Sequence, residues 1–258
     1  MLKNITLIGS GNVATHLGRA LYDKGFSIHQ VYSPNKDNAF ELAVAVSAMP
    51  CDDLKFITDE SDVYIICVKD EAIAEVANQI TFKYKLVVHT AGSIGMEVLD
   101  CFEQHGVLYP LQTFSKKTTL HIHAVPFCIE ANNALAKKQL IELANQLSPK
   151  VHEITSEQRK KIHLAAVFAC NFSNYCYGVA AKILTESDID FELLKPLILE
   201  TAQKIQHQSP QKAQTGPAQR NDQATINNHL QLLENSKHYQ EIYELMSAAI
   251  GREIGGGE

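Results

Sequence analysis

The stretch that most constrains this chain runs from Ile5 to Leu21, ITLIGSGNVATHLGRAL, where a short apolar run meets a glycine turn and then a helical pattern. The turn reads G-x-G-x-x-A, with Gly9, Gly11 and Ala14 at the small positions. The first glycine permits a tight turn off a strand, the second lets backbone approach a pyrophosphate, and a small third residue lets the helix pack closely on the strand. The helix that follows offers unpaired N–H groups and a partial positive charge to phosphate oxygens. A glycine turn alone is compatible with a plain tight turn and no ligand. The context, strand before, helix after and a second strand beyond, points to a dinucleotide cradle. Gly9, Ser10, Gly11, Asn12 and Val13 are then the expected cofactor contacts.

The rest of the first half repeats this alternation. FSIHQVYS (26–33) alternates as a strand does, and VYIICV (63–68) and KLVVHTAG (85–92) are continuous apolar runs of the kind buried on both faces. GVLYPL and HAVPFCIEA are two more candidate strands. Helical patterns cover 38–46, 70–80 and 132–147. Strands alternating with helices imply βαβ units and a mainly parallel sheet. Beyond about residue 154 the strand signal stops. Residues 156–184 read as one long helix, and 190–207, 222–235 and 238–250 are also helical. The expected fold class is therefore α/β: a Rossmann doubly wound, mainly parallel sheet over 1–154, followed by an all-α domain over 155–258. Between the later helices, 208–222 reads as a polar loop with two prolines and one glycine. The closing Gly-Gly-Gly-Glu reads as a frayed tail.

Composition narrows the function classes. The 258 residues are 45% hydrophobic, enough for a real core, and the formal net charge is −6. A nucleic-acid binder carries a basic excess, so nucleic acid is not an expected partner. No apolar run approaches the ~18 residues needed to cross a bilayer, and the first strand begins within a few residues of Met1, which reads as no signal peptide. Six scattered cysteines without a CxxC pair lie mostly inside apolar runs. A cytoplasmic setting follows as the expectation.

In an open parallel sheet, ligands sit beyond the carboxyl ends of the strands. After the second strand, where an NAD binder often carries an acidic residue, this chain has Ser33, Asn35 and Lys36. A hydroxyl, an amide and an ammonium suit a 2′-phosphate, so NADP is favoured over NAD, although Asp37 lies close in sequence. Val68 and Lys69 end the next strand, and His89, Thr90 and Ser93 the one after; Gln112, Thr113 and Ser115 follow YPL. Val68, Lys69 and His89 are expected to flank the cofactor, and Ser93 to orient a substrate. The ordinary alternative is turn and capping chemistry.

The helix beginning at Ser156 is apolar nearly all round after Ile162, which predicts burial between domains or in a dimer interface. It nevertheless carries His163, Asn171 and Asn174. On a regular helix His163 and Asn171 lie about 80° apart and ~12 Å apart along the axis, so they line one groove. His163 is a proton carrier for neutral pH, and Asn171 an orienting group. Interhelical asparagines and a satisfied core histidine are the competing reading.

Taken together, GSGNVATHL, VHTAGS, YPLQTFS, HLAAVFACNFSN and TGPAQRNDQATINNHL resemble a branch of NADP oxidoreductases. That branch is related to pyrroline-5-carboxylate reductase, the 3-hydroxyisobutyrate and 6-phosphogluconate dehydrogenases, and the deazaflavin-linked NADP reductases. The resemblance implies NADP in the N-terminal cleft, a small substrate between that cleft and the helical domain, and a homodimer through the C-terminal helices. The hydroxyacid dehydrogenases usually carry a catalytic lysine one turn before an asparagine of the long helix. Here Val167 and Cys170 occupy those places, and His163 is the candidate replacement. TGPAQRND falls where the reductases have a substrate-binding turn, and it adds Arg220 as a possible carboxylate clamp. The expected function is hydride transfer between the nicotinamide and a small carbonyl, imine or deazaflavin-like acceptor, with His163, Asn171 and Ser93 as catalytic candidates. The alternative is a non-catalytic NADP-binding sensor or partner-binding protein.

Overall fold

The structure is a computed structural model in which residues 2–255 are described. Of the tail expected to fray, 255–258, residue Gly255 ends a helix and 256–258 lie outside the described residues. The chain forms two compact units, residues 1–171 and 172–258. The last strand ends at Glu153 and the next helix starts at Ser156, so the change from strands to helices falls inside the first unit.

The first unit is built on one sheet of eight strands: β1 Asn4–Ile8, β2 Ser27–Tyr32, β3 Met49–Cys51, β4 Val63–Ile66, β5 Leu86–His89, β6 Gln104–Pro110, β7 Phe127–Ala131 and β8 Val151–Glu153. Their order is β3-β2-β1-β4-β5-β6-β7-β8. All neighbours are parallel except β6 and β7, which pair Pro110 with Phe127 and Gly106 with Ala131 in opposite directions. Strand order reverses between β1 and β4, the switch point at which such sheets open a crevice beyond their carboxyl ends. Helices α1 Asn12–Asp23, α2 Lys36–Ala45, α3 Ile73–Gln79 and α4 Ala134–Leu147 complete the layers, with short 3₁₀ turns at Asp70–Ala72 and Met96–Leu99 among others.

The period-two direction of strand side chains divides the core between the two faces. Leu7, Val63, Ile65 and Val88 pack with Leu17 and Leu21 of α1 and Leu140 and Leu143 of α4. Ile8, Tyr64, Ile66 and Val87 pack on the opposite face with Ile73 and Val76 of α3, Leu99 and Phe102. Every residue of β4 and β5 is buried, as their unbroken apolar composition requires.

Three details differ from the sequence reading. β3 and β8 are additional strands at the two sheet edges, each of three residues and so too short to carry an alternating pattern. The helix expected over 156–184 is not uniform: α5 Ser156–Ala166 passes into a π-helical stretch, Val167–Phe172, and then into α6 Ser173–Thr185. The wider π turn bonds five residues back instead of four, so the regular 100° step does not carry from His163 to Asn171. The expected burial is also absent within this chain: Leu164 is 59% exposed, and Asn171 and Asn174 are exposed.

The second unit contains α6, α7 Lys195–Lys204, α8 Pro210–Ala213, α9 Gln223–Leu232 and α10 Lys237–Gly255. α8 is a single helical turn inside the expected loop, with Pro210 at its start and Ser209 accepting from Lys212 N. Asp222 caps α9, accepting from Thr225 N and from Thr225 Oγ1, and these bonds hold its carboxyl below the ordinary range. No described residue of this unit is buried.

Candidate cofactor and active site

β1 delivers the chain into the glycine turn, where Gly9 has φ +127°, a conformation that side chains rarely adopt. A Cβ there would meet Cys67 O at 2.5 Å, so the turn lies against the end of β4. Gly11 is the N-cap of α1 in extended backbone, with no side-chain cap, and a Cβ built on it meets nothing within 4 Å. The first turn of α1 contains no acidic residue. Its leading N–H groups therefore meet no carboxylate from their own turn. Below them, Thr15 Oγ1 is buried with no hydrogen-bond partner. These features fit a diphosphate at the Gly9–Val13 turn. Ser10 is buried, Gly11 and Asn12 are exposed and Val13 is partly buried.

The loop after β6 crosses the same helix start. Asn12 Nδ2 donates to Phe114 O at 3.0 Å, and Lys116 N donates to Asn12 Oδ1 at 3.3 Å. His16 Nε2 lies 2.8 Å from Ser115 O, its ring tilted against Phe114 at 5.6 Å. Lys116 Nζ reaches Glu41 of α2 at 3.6 Å. The Asn12 side chain, expected as a cofactor contact, thus holds a strap of residues 112–118 beside the cradle. Thr113 and Ser115 lie on that strap.

At the end of β2, Ser33 is buried and its Oγ accepts from Asn35 N at 3.3 Å. Asn35 caps α2 by accepting from Asn38 N at 3.0 Å. Lys36 pairs with Asp52 at 3.1 Å, a carboxylate that the unforeseen strand β3 brings alongside. The three residues chosen for a 2′-phosphate therefore do share one corner. That corner contains an acidic group that sequence spacing did not reveal.

Beyond β4, Val68 packs partly into the core and Lys69 is exposed before the Asp70–Ala72 turn. His89 ends β5 fully buried. Its Nδ1 accepts from Ala91 N at 3.2 Å, and its Nε2 lies 3.3 Å from Gly95 O. Both ring nitrogens are used inside the protein, so His89 shapes the 90–95 turn and presents no ring atom to a ligand. Burial, reinforced by the Arg159 charge, lowers its pKa to about 4 and keeps it neutral. Ser93 Oγ donates to Asp70 Oδ2, which ties that turn to the turn after β4.

His163 stands on α5 with Nδ1 3.2 Å from the hydroxyl of Tyr109, near the end of β6; the rings meet edge-on at 71°. Both rest on Gly92: a Cβ at that position would lie 2.6 Å from His163 Nδ1 and 2.8 Å from Tyr109 Cζ. One turn earlier on α5, Arg159 is completely buried. It donates to Glu130 Oε2 at 2.6 Å, to Ile94 O at 2.5 Å and to Ser156 Oγ at 3.0 Å. Glu130 also accepts from Ser156 N and Ser156 Oγ. The structure thus gathers Asp70, Gly92, Ser93, Tyr109 and His163 near the carboxyl edge of β4 to β6. Asn171 is exposed on the π-helical stretch, and no hydrogen bond joins it to this group. Tyr109 and Asp70 were not read from the sequence as site residues. In GVLYPL, a tyrosine looks like one more core residue, and its partner is 54 positions away.

Two family models match the chain. One, described as NADP oxidoreductase coenzyme F420-dependent, covers residues 4–92, and the other, a domain of unknown function (DUF2520), covers 125–250. No protein with a curated description matches. Among solved structures, a Bacteroides fragilis protein named as a putative NADP oxidoreductase is 44% identical over 97% of this chain and 98% of its own, with a TM-score of 0.93. An imine reductase from Myxococcus stipitatus in complex with NADP+ is 15% identical, covering 98% of this chain and 95% of that one, with a TM-score of 0.70. A pyrroline-5-carboxylate reductase from Coxiella burnetii is 16% identical, covering 99% and 98%, with a TM-score of 0.58. The last two share the fold.

Proposed function

This chain belongs to the Rossmann-like NADP oxidoreductase family, and from that premise we propose that it reduces a small organic substrate with NADPH, the substrate lying against the Gly92–His163 corner. The observation that carries this reading is the uncapped start of α1, open at Gly11 and free of acidic residues, at the strand-order switch point. The cofactor supplies a hydride when bound. The protein's part is to hold the two reactants in register and manage a proton. Gly9 to Val13 bind the diphosphate through backbone N–H groups. Ser33, Asn35 and Lys36 receive the adenosine end, with NADP preferred over NAD. Val68 and Lys69 border the crevice, and His89 fixes the turn behind it. His163 carries the proton, Ser93 orients the substrate from its anchor on Asp70, and Asn171 serves as a further orienting amide.

We also propose that the protein works as a homodimer through its C-terminal helices. Leu193, Leu197, Leu199, Leu232 and Leu245 are each more than half exposed in a unit with no buried described residue. A second copy offers the same apolar faces and closes the assembly by symmetry. Sedimentation velocity at micromolar concentration is expected to show twice the chain mass. The six cysteines stand as free thiols, as a reducing cytoplasm maintains.

The decisive variant is Gly11→Asp. A carboxylate at this N-cap has room and favours the helix, so folding is kept, while its charge sits where the diphosphate binds. NADPH affinity, followed by nucleotide fluorescence, is expected to fall on the order of 100-fold or more, with the melting temperature unchanged or raised. Undiminished binding would overturn the cradle. Tight binding without NADPH oxidation across small aldehydes, ketones, 2-oxo acids and cyclic imines would instead favour a non-catalytic sensor.

A further inference from the structure

The corner at Gly92 contains a hydroxyl that none of the expected roles uses. Tyr109 is the penultimate residue of β6, at the same sheet edge as the turn that follows β5. The residue is only 8% exposed, and its hydroxyl meets His163 Nδ1 at 3.2 Å. A Cβ on Gly92 would press on both rings, so a larger residue there requires one of the rings to shift. The geometry points to Tyr109 as the proton donor of the reduction, passing its hydroxyl hydrogen to a substrate carbonyl oxygen while His163 Nδ1 returns a proton to the phenolate. This assignment rests on the reading of the chain as an NADPH-dependent reductase and names its substrate class, aldehydes and ketones.

The neighbouring groups leave few alternatives. Ser93 is already donating to Asp70, and an asparagine amide such as Asn171 does not donate a proton at accessible pH. The lysine expected on the long helix is absent, with Val167 and Cys170 at its places. The groups that act on the Tyr109 hydroxyl are Cys128 on β7, Arg159 on α5, Asp70 after β4 and Cys170 on the π stretch. Burial dominates, and together with Cys128 it pushes the phenol up to about 12 against the opposing Arg159 charge. Tyr109 is therefore a persistent O–H donor, and the alkoxide formed on a reduced carbonyl is basic enough to take its hydrogen. An imidazole beside it is the side chain that gains and loses a proton near neutrality.

The step balances. The carbonyl carbon gains the hydride and the C=O π bond breaks. The oxygen takes the Tyr109 proton, and protonated His163 gives its Nδ1 hydrogen to the phenolate. Solvent then reprotonates His163. An N-alkylated iminium gains only hydride in its reduction, leaves no oxyanion, and has no use for this donor.

The test compares wild type with Tyr109→Phe at saturating NADPH. Small aldehydes, ketones and 2-oxo acids are the carbonyl probes, and N-methyl-1-pyrrolinium is the iminium probe. The expected result is a loss of about 100-fold or more in kcat on the best carbonyl, with at most about a threefold change on the iminium and unchanged NADPH binding. A comparable loss on both probes, or none on the carbonyl, overturns the tyrosine while leaving the reductase reading intact. Wild-type reduction of the iminium alone overturns it as well. If the wild type oxidises NADPH with neither class, the reductase reading falls and the tyrosine with it. A second readout needs no turnover: in ¹⁵N-histidine NMR, Tyr109→Phe is expected to move the Nδ1 resonance of His163, and a resonance indifferent to the hydroxyl counts against the pair.

Discussion

Asn12 and Phe114 are 102 residues apart in sequence, yet the amide of the first donates to the backbone carbonyl of the second at 3.0 Å, beside the glycine turn that opens α1. With Lys116 N returning a bond to the same side chain, one asparagine fastens the strap after β6 to the start of α1. Asn12→Ala removes both bonds, each worth about 1 kcal/mol. NADPH is expected to dissociate roughly tenfold faster in stopped-flow fluorescence, with little change in the association rate. An unchanged dissociation rate would separate the strap from cofactor retention.

His89 makes stability fall in mild acid. Its folded pKa of about 4 lies below the ordinary 6.5, chiefly because it is fully buried and secondly because Arg159 is near. Below pH 6.5 the unfolded chain binds a proton that the folded chain refuses, so stability declines until the folded value is reached. The decline amounts to roughly 3 kcal/mol. Urea unfolding at pH 7 and pH 5 is expected to show part of this loss in the wild type, and a flatter profile in His89→Gln.

Glu130 acts at lower pH. Burial alone would raise its pKa, but bonds from Ser156 and Arg159 hold it below the ordinary value. Its contribution is therefore present above the ordinary carboxylate range and lost as pH falls through the lowered folded value. Glu130→Gln leaves the fully buried Arg159 without its counter-charge, which is expected to cost about 3–5 kcal/mol at pH 7. Thermal unfolding measures it directly, and a drop of less than about 1 kcal/mol would mean that Arg159 is solvated in solution.

Asp52 is expected to temper the choice of nucleotide. It pairs with Lys36 at 3.1 Å on an exposed surface, where such a pair is worth up to about 1 kcal/mol. Asp52→Asn frees the ammonium and removes a charge that repels a 2′-phosphate. The ratio of NADPH to NADH affinity is expected to rise about fivefold, and a fall in that ratio would place the 2′-phosphate elsewhere.

The parallel sheet was legible because β4 and β5 are buried on both faces and can hardly be written in other than apolar residues. The glycine turn and the helix after it were legible because the pattern is local, with Gly9 and Gly11 two positions apart. The edge strands were not: β3 includes Pro50, and three residues leave no period to detect. The corner proposed as the active site was hidden for a different reason. Gly92, Tyr109 and His163 meet across 71 residues of chain, and each has an ordinary local reading as turn, core and helix. For the long helix, sequence records only that apolar side chains seek cover. Leu164 shows that the cover does not come from its neighbours in this unit.

The π-helical stretch at Val167–Phe172 gives this connector a property that an ordinary helix lacks. Removing one residue from it lets the backbone ladder close again as α-helix, and because one wide turn had absorbed that residue, the side chains of α6 keep nearly their original direction around the axis. A one-codon deletion here would therefore leave Asn174 and Tyr175 facing as before, so relatives with and without the extra residue should differ in the local bulge and not in the rest of the helix.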